Sequence, residues 1–423
     1  MNSKYYPYCI FFIFIFIYAL GSFTRIPFAD CVGFVLNTEK GELETVFSST
    51  SHPLYINTAI LIRKITGLDA ILANRIVVIF SAAVTVFFVY KTVSLFTHKT
   101  WIPKVSAFVF GLSFSFWRNA EIVEVYTQNA ALIMTFLYFL VLSYQCEKKR
   151  NTAIIAAAFF LGLCLWLHIQ NIFFIPSFLL FLYYFRQNRK TVILSFLVFL
   201  LVFGAVFLVN YFQGYPLNSP FNSNEDIGWV RNSLNKSFGQ YLKDFLVSLI
   251  YLVYNFNVFA ILGIIGIFEL YKFNKKIFYP LFIAAVLHYG FATFYAVSDN
   301  YVFFIPSYLI FIIGVGMGLR KYQDLTWVKK SSALVVLTPL FYLFSFLMIS
   351  SLPQSKDFKE KKAYKGGLKY YLLPWMNDNV GIVEFTAEKR TAPEPMSWMT
   401  ISAEEYIELK ISQGYSLEEI KKF

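Results

Sequence analysis

Histidine and cysteine are both scarce, at four residues each in a chain of 423. The cysteines (Cys9, Cys31, Cys146, Cys164) show no metal-ligand spacing, and three lie in or beside apolar runs. Neither a zinc module nor a disulfide framework is expected from them. There is no Walker A loop, no GxGxxG placed after a strand and no CxxC pair, which removes the common nucleotide and redox sites. Charge is thin, with 15% of residues Asp, Glu, Lys or Arg. Ionisable residues are scarce inside the apolar runs, which argues against a proton pump or a voltage sensor. No internal repeat of the inverted-repeat transporter kind is visible. The net charge of +12 is divided among short clusters between apolar runs. That is how cytoplasmic loops look, so nucleic acid is not an expected partner.

Apolar and aromatic residues take the place of what is missing. The chain is 57% hydrophobic and 20% aromatic, with 50 Phe and 29 Tyr. Runs of the length that spans a bilayer as a helix recur at about 5–22, 70–97, 122–144, 152–168, 171–185, 190–212, 246–270, 277–297, 300–319 and 331–350. The runs are continuous, not alternating, which excludes a barrel. The expectation is an all-α polytopic membrane protein of about 11–12 transmembrane helices. Residues 1–350 would form the membrane domain, with a first external loop over 23–56, and residues 351–423 a small extracytoplasmic tail. The first run reads as a retained span rather than a cleaved signal peptide. Residues 53–66 are too short to cross comfortably and read as half-inserted.

Basic clusters at 148–150, 186–190, 272–276 and 320–330 belong in the cytoplasm by the positive-inside rule. The N-terminus is then cytoplasmic and the C-terminus extracytoplasmic, and the Phe/Ile/Lys/Asn-rich usage suits the inner membrane of an AT-rich bacterium. Alternation places Asp30, His52, Glu121, Glu124, His168 and Asp299 together on the outer face. Each has a bland reading beside the functional one. Asp30 and Asp299 could be helix N-caps, and His52 a turn residue before a helix-starting Pro53. Glu121 and Glu124 would share one face of a helix, with Arg118 able to neutralise a phosphate oxygen. His168 could be a satisfied interfacial residue. Arg63 and Lys64 could be ordinary snorkelling anchors. In the 213–244 interval, Glu225, Asp226, Trp229 and Arg231 read mainly as an interfacial belt. Glu39, Glu42 and Glu44 read as solvated surface.

The order of motifs resembles the DUF2723 family of the GT-C glycosyltransferase superfamily, which includes protein O-mannosyltransferase-like members. The matching positions are ADCVGF (Asp30 to Phe34), SHPLYI (His52 to Tyr55), FWRNAEIVEVYTQN (Trp117, Ala120, Glu124, Tyr126, Asn129), GLCLWLH (Gly162 to His168) and the late SDNYVFFIPSY. The chain departs from the family pattern where Phe34, not Glu, follows Gly33, and where a double Pro is reduced to Pro53. The resemblance implies a GT-C-like helical bundle. It implies an inverting, metal-independent or weakly metal-dependent transferase using a sugar on polyprenyl or dolichyl phosphate, with a protein, glycan or lipid hydroxyl as acceptor. Asp30 would be the general base. Arg118 and His52 would hold the departing phosphate, and Glu124, Tyr126, His168 and Asp299 would shape the pocket. Two other functions compete. A lipid-linked glycan polymerase or ligase would concentrate arginines in a late outer loop. A lipid or solute transporter would need discontinuous helices, and none is visible in the sequence.

Overall fold

The computed structural model describes residues 5–48, 50–219, 228–297 and 299–423. Every regular element among them is helical. In chain order these are α1 (Tyr6–Gly21), α2 (Cys31–Lys40), α3 (Pro53–Thr66), α4 (Ala70–Ser94), α5 (Trp101–Gly111), α6 (Phe114–Asn119), α7 (Tyr126–Gln145), α8 (Arg150–Cys164), α9 (Ile175–Tyr184), α10 (Arg189–Phe212), α11 (Trp229–Leu234), α12 (Phe238–Phe256), α13 (Phe259–Phe273), α14 (Lys275–Phe294), α15 (Ile305–Lys321), α16 (Thr326–Ser332) and α17 (Thr338–Ser351). The tail adds α18 (Ser355–Lys361), α19 (Leu368–Leu372), α20 (Ile382–Ala387), α21 (Ser397–Ser412) and α22 (Leu417–Ile420).

Six helical runs among the described residues are long and apolar enough to cross a membrane: α4, α7, α10, α14, Asn300–Lys321 and Thr326–Ser351. The bent pair α12 and α13 makes a seventh when counted as one span, and Tyr6–Gly21 and Ile169–Tyr184 are shorter apolar helices, beside the 11–12 crossings expected. The predicted span 246–270 is not one helix. α12 and α13 meet at a 100° bend. Asn257 at the break has φ 50, a left-handed conformation that Asn tolerates better than most residues. A discontinuous helix is therefore present where the sequence showed none.

Local chemistry sets the ends of the other helices. Asp69 caps α4, its Oδ1 accepting from Leu72 N at 2.8 Å. Pro53 starts α3, and Gly67 at φ 71 ends it. α13 and α15 approach so closely that a Cβ on Gly318 would lie 2.1 Å from the Leu262 carbonyl oxygen. Small residues permit such contact between helices in a bilayer.

Two apolar clusters organise the chain. The larger fills the bundle. The smaller joins Phe28, Val35, Tyr55, Ile60 and Val123 to Ile382, Phe385 and Tyr406 of the tail. Backbone bonds lace the same layer: Met376 N donates to Gly21 O at 2.9 Å, and Ile382 N to Ile26 O at 2.9 Å. The first loop and the tail thus form one cap over one end of the bundle. Within it Glu39, expected on the surface, is buried. Its Oε1 accepts from Lys410 at 3.0 Å, Gln413 at 3.1 Å and Arg63 at 3.2 Å. Arg63 is thus an ion-pair partner, not a plain anchor.

Candidate active site

Under this cap the start of α2 meets the loop between α6 and α7. Phe28 is buried and packs edge-on to Tyr364 and Phe385, at ring separations of 5.7 and 5.5 Å. Ala29 then takes φ 105, a region that strains any residue with a side chain. The strained turn presents Asp30 at the N-cap position of α2. Its side chain makes no capping bond there, and the residue is exposed. Asp30 thus holds the cap position without a side-chain cap bond.

Glu124 lies directly behind. Its carboxyl accepts from the backbone amides of Val125 and Asp30. Burial, and then the charges of Asp30 and Asp299, push its pKa well above the usual carboxylate range. Like charges in one space do not all ionise, so a neutral Glu124 is the form that fits beside an ionised neighbour. Asp299 occupies the N-cap position of the 3-10 turn Asn300–Phe304, again without a capping bond, and is exposed. Glu121 and Glu124 do not share a helical face, because residues 121–124 are not helical. Glu121 turns away, taking bonds from Trp117 Nε1 at 2.5 Å and from Met376 N at 2.9 Å. It holds the tail in place.

The histidines pair. The rings of His52 and His168 stack at 5.5 Å, and Tyr126 lies 6.0 Å from His168. Burial lowers the pKa of His52, and burial with the charges of His52 and His288 takes His168 down to about 3. Both are neutral at pH 7. His52 is thus placed to act through hydrogen bonds and not through charge. The His52 Nδ1 proton goes to Leu167 O at 2.6 Å, leaving Nε2 as an acceptor. His168 Nδ1 accepts from Gln170 N at 3.1 Å, so its Nε2 carries the proton. A neutral donor beside a neutral acceptor suits a sugar hydroxyl.

Arg118 is buried. Its guanidinium lies 4.1 Å from the centre of the Tyr370 ring and donates to the Tyr370 carbonyl, while Nε has no partner among the described residues. Tyr370 OH reaches Phe28 O at 3.4 Å. Lys365 stands 5.9 Å from the Phe28 ring, and its charge bears on Asp299. Tyr301 borders both Arg118 and Glu124.

Asp30, Glu124, Asp299, Arg118 and Tyr126 are thus gathered, with His52 and His168 beside them. Lys365, Tyr370 and Tyr301 escaped the sequence reading. The only signal for the first two was the aromatic, glycine-broken stretch YKGGLKYYLLPW in an otherwise plain tail. Glu225 and Asp226 lie outside the described residues, as does the Trp229 side chain. Among the described residues no three His, Cys, Asp or Glu side chains stand in metal-ligand geometry.

Residues 43–192 match the family model described as the protein O-mannosyl-transferase TMEM260 N-terminal domain. That match takes in His52, Arg118, Glu124, Tyr126 and His168, and begins after Asp30. No curated protein matches the chain. Among solved structures, ArnT from Cupriavidus metallidurans in the apo state is 13% identical at TM-score 0.62, over 83% of this chain and 66% of that one. The same protein bound to undecaprenyl phosphate is 11% identical at TM-score 0.60, over 96% and 75%. The Archaeoglobus fulgidus oligosaccharyltransferase is 13% identical at TM-score 0.53, over 83% and 56%. This chain spans about two thirds or less of the first and third of these. The fold is that of the GT-C membrane glycosyltransferases, and the chain is a multi-pass membrane protein.

Proposed function

We propose that the chain is a GT-C glycosyltransferase of the DUF2723 type that moves a sugar from a polyprenyl or dolichyl phosphate to a hydroxyl on a protein, glycan or lipid. The observation that carries this reading is the meeting of exposed Asp30 with buried Glu124 and buried Arg118 in a GT-C fold. ArnT, which shares the fold, is known with undecaprenyl phosphate bound.

Asp30 accepts the proton of the acceptor hydroxyl as that oxygen attacks the anomeric carbon. The bond from that carbon to the phosphate oxygen breaks with inversion, and the phosphate leaves with the electron pair. Arg118, released from the Tyr370 carbonyl, and Lys365 stabilise its negative charge. His52 and His168 hold the sugar as hydrogen-bond acceptor and donor. On the charge-based orientation the cap is extracytoplasmic, and residues 351–423 serve as its outer half. No step needs a metal ion.

The break between α12 and α13 is what a transporter would also show. Here it has a scaffold use: Asn255, just before it, accepts from Ser115 N at 2.8 Å and so holds α6, the helix that carries Arg118.

Membranes containing the chain, supplied with a panel of polyprenyl-phosphate sugars and hydroxyl acceptors, test the reading. Formation of an inverted glycosidic bond is expected. No transfer from any donor, with the protein folded, would sink it.

A further inference from the structure

The tail brings a cluster of charges to the edge of the candidate site. Lys362, Tyr364 and Lys365 lie on one tight turn, which closes where Gly367 N donates to Lys362 O at 2.8 Å. Their side chains converge on Glu394. Lys365 Nζ lies 2.7 Å from Glu394 Oε1, Tyr364 OH donates to the same oxygen, and Lys362 Nζ donates to Oε2. The turn also touches the site. The Tyr364 ring packs edge-on to Phe28, Lys365 stands 5.9 Å from that ring, and the Lys365 charge acts on Asp299. Lys365 thus has two claimants: the Glu394 carboxylate and the leaving phosphate assigned to it above.

We infer that Glu394 is a tethered competitor of the lipid phosphate for Lys365, displaced as sugar transfer builds charge on that phosphate and reseated as the spent lipid leaves. The inference rests on the donor class proposed above. Three observations carry it. The first is that Glu394 stays charged. Burial acts to raise its pKa, but Lys362, Lys365 and Tyr364 hold the carboxyl down to about 2. Protonation near neutral pH does not release it, so what unseats it is a rival anion.

The second is the balance of charge. Two lysines face one carboxylate, so the cluster remains positive with Glu394 seated. The Lys365 side chain is only 13% exposed, which strengthens its pull on whichever anion it holds. A sugar phosphodiester carries one negative charge, as Glu394 does. The monoester left after transfer carries about −1.5 to −2 at pH 7. The rival therefore gains on the carboxylate as the bond to the sugar breaks.

The third is the loop that carries Glu394. Among the described residues no backbone amide from Thr391 to Met396 donates a hydrogen bond, and Pro393 and Pro395 have none to donate. Over residues 391–395 the Glu394 side chain makes the only hydrogen bonds and ion pairs among the described residues. Unseating it breaks no other polar contact of that stretch.

The test uses the full chain purified in detergent, with undecaprenyl phosphate and the uncharged undecaprenol as probes. Glu394→Gln should bind undecaprenyl phosphate about fivefold more tightly than wild type, with undecaprenol unaffected. Carbodiimide footprinting of the wild type depends on no variant folding. Glu394 should label faster with undecaprenyl phosphate present than with undecaprenol. Unchanged or slower labelling overturns the inference, as does unchanged or weaker phosphate binding in the folded variant, which would make Glu394 a structural partner of the turn. An equal rise in labelling with inorganic phosphate assigns the cluster to free anions and also overturns it. Failure of the wild type to prefer undecaprenyl phosphate over undecaprenol would remove the donor class itself, and this inference with it.

Discussion

Replacing Glu39 by Gln should detach the tail from the first loop. Glu39 and Lys410 are both nearly withdrawn from solvent, with side chains 5% and 6% exposed. Burial alone would raise the Glu39 pKa, but Lys410, Gln413 and Arg63 outweigh it and hold the carboxyl below its usual value. Glu39→Gln keeps an amide oxygen that can accept, beside Gln413, but leaves the Lys410 ammonium buried without its counter-charge. Stranding one member of a buried pair costs about 3–5 kcal/mol. Lys410→Met is milder, because Glu39 keeps Arg63 at 3.2 Å and Gln413 at 3.1 Å, and about 2 kcal/mol is expected. The double variant removes both charges and should recover about 2 kcal/mol or more of the summed loss. Limited proteolysis reads the opening of α21 directly. A loss of 3 kcal/mol raises the open population more than a hundredfold, and cleavage around residues 390–396 should accelerate accordingly. If Glu39→Gln leaves cleavage unchanged, or if the double variant is as damaged as the two singles summed, the buried ion knot does not hold the cap.

Other perturbations address the site and its support. Burial raises Glu44 from 4.5 to about 7, so the folded state binds this proton more tightly than the unfolded chain does. Its contribution is intact below about pH 4.5 and is lost as pH rises to 7, at up to about 3 kcal/mol. Glu44→Gln should therefore flatten the melting temperature between pH 5 and 8, and an unaltered pH profile would refute that placement. Ala29→Gly should relieve the backbone at φ 105 and raise stability by about 1 kcal/mol in chemical or thermal unfolding, where a loss would show the turn unstrained. Tyr370→Ala should lose about 1–2 kcal/mol of stacking on Arg118 and raise the KM for donor, while Tyr370→Phe keeps the ring and stays near wild type; equal behaviour of the two would dismiss the ring's role.

Much of the fold was legible because a bilayer leaves a coarse signature. Long apolar runs between basic clusters marked the spans, and the segment read as 53–66 is α3, Pro53–Thr66. The candidate site was legible where its members lie at span ends, since topology alone brings Asp30, Glu124, His168 and Asp299 to one face. Side-chain partnerships across the chain were not legible. Glu39 looked like surface because its partners stand 24 and 371 positions away. Asp30 takes the N-cap position but makes no side-chain cap bond, beside Ala29 at φ 105, and φ is not written in the sequence. The bend at Asn257 was hidden inside an apolar run that only Asn255 and Asn257 interrupt there. Lys365 and Tyr370 lay in a tail read as peripheral, and only packing against Phe28 and Arg118 reveals their position.

The central claim is that Asp30 is the general base. Purified chain in proteoliposomes, with a donor that supports transfer, allows kcat and KM to be measured separately for wild type and Asp30→Asn. The amide keeps the shape and cannot accept the proton. The account predicts a fall in kcat of about 10²–10⁴ with KM little changed. Transfer by Asp30→Asn at the native rate would contradict it.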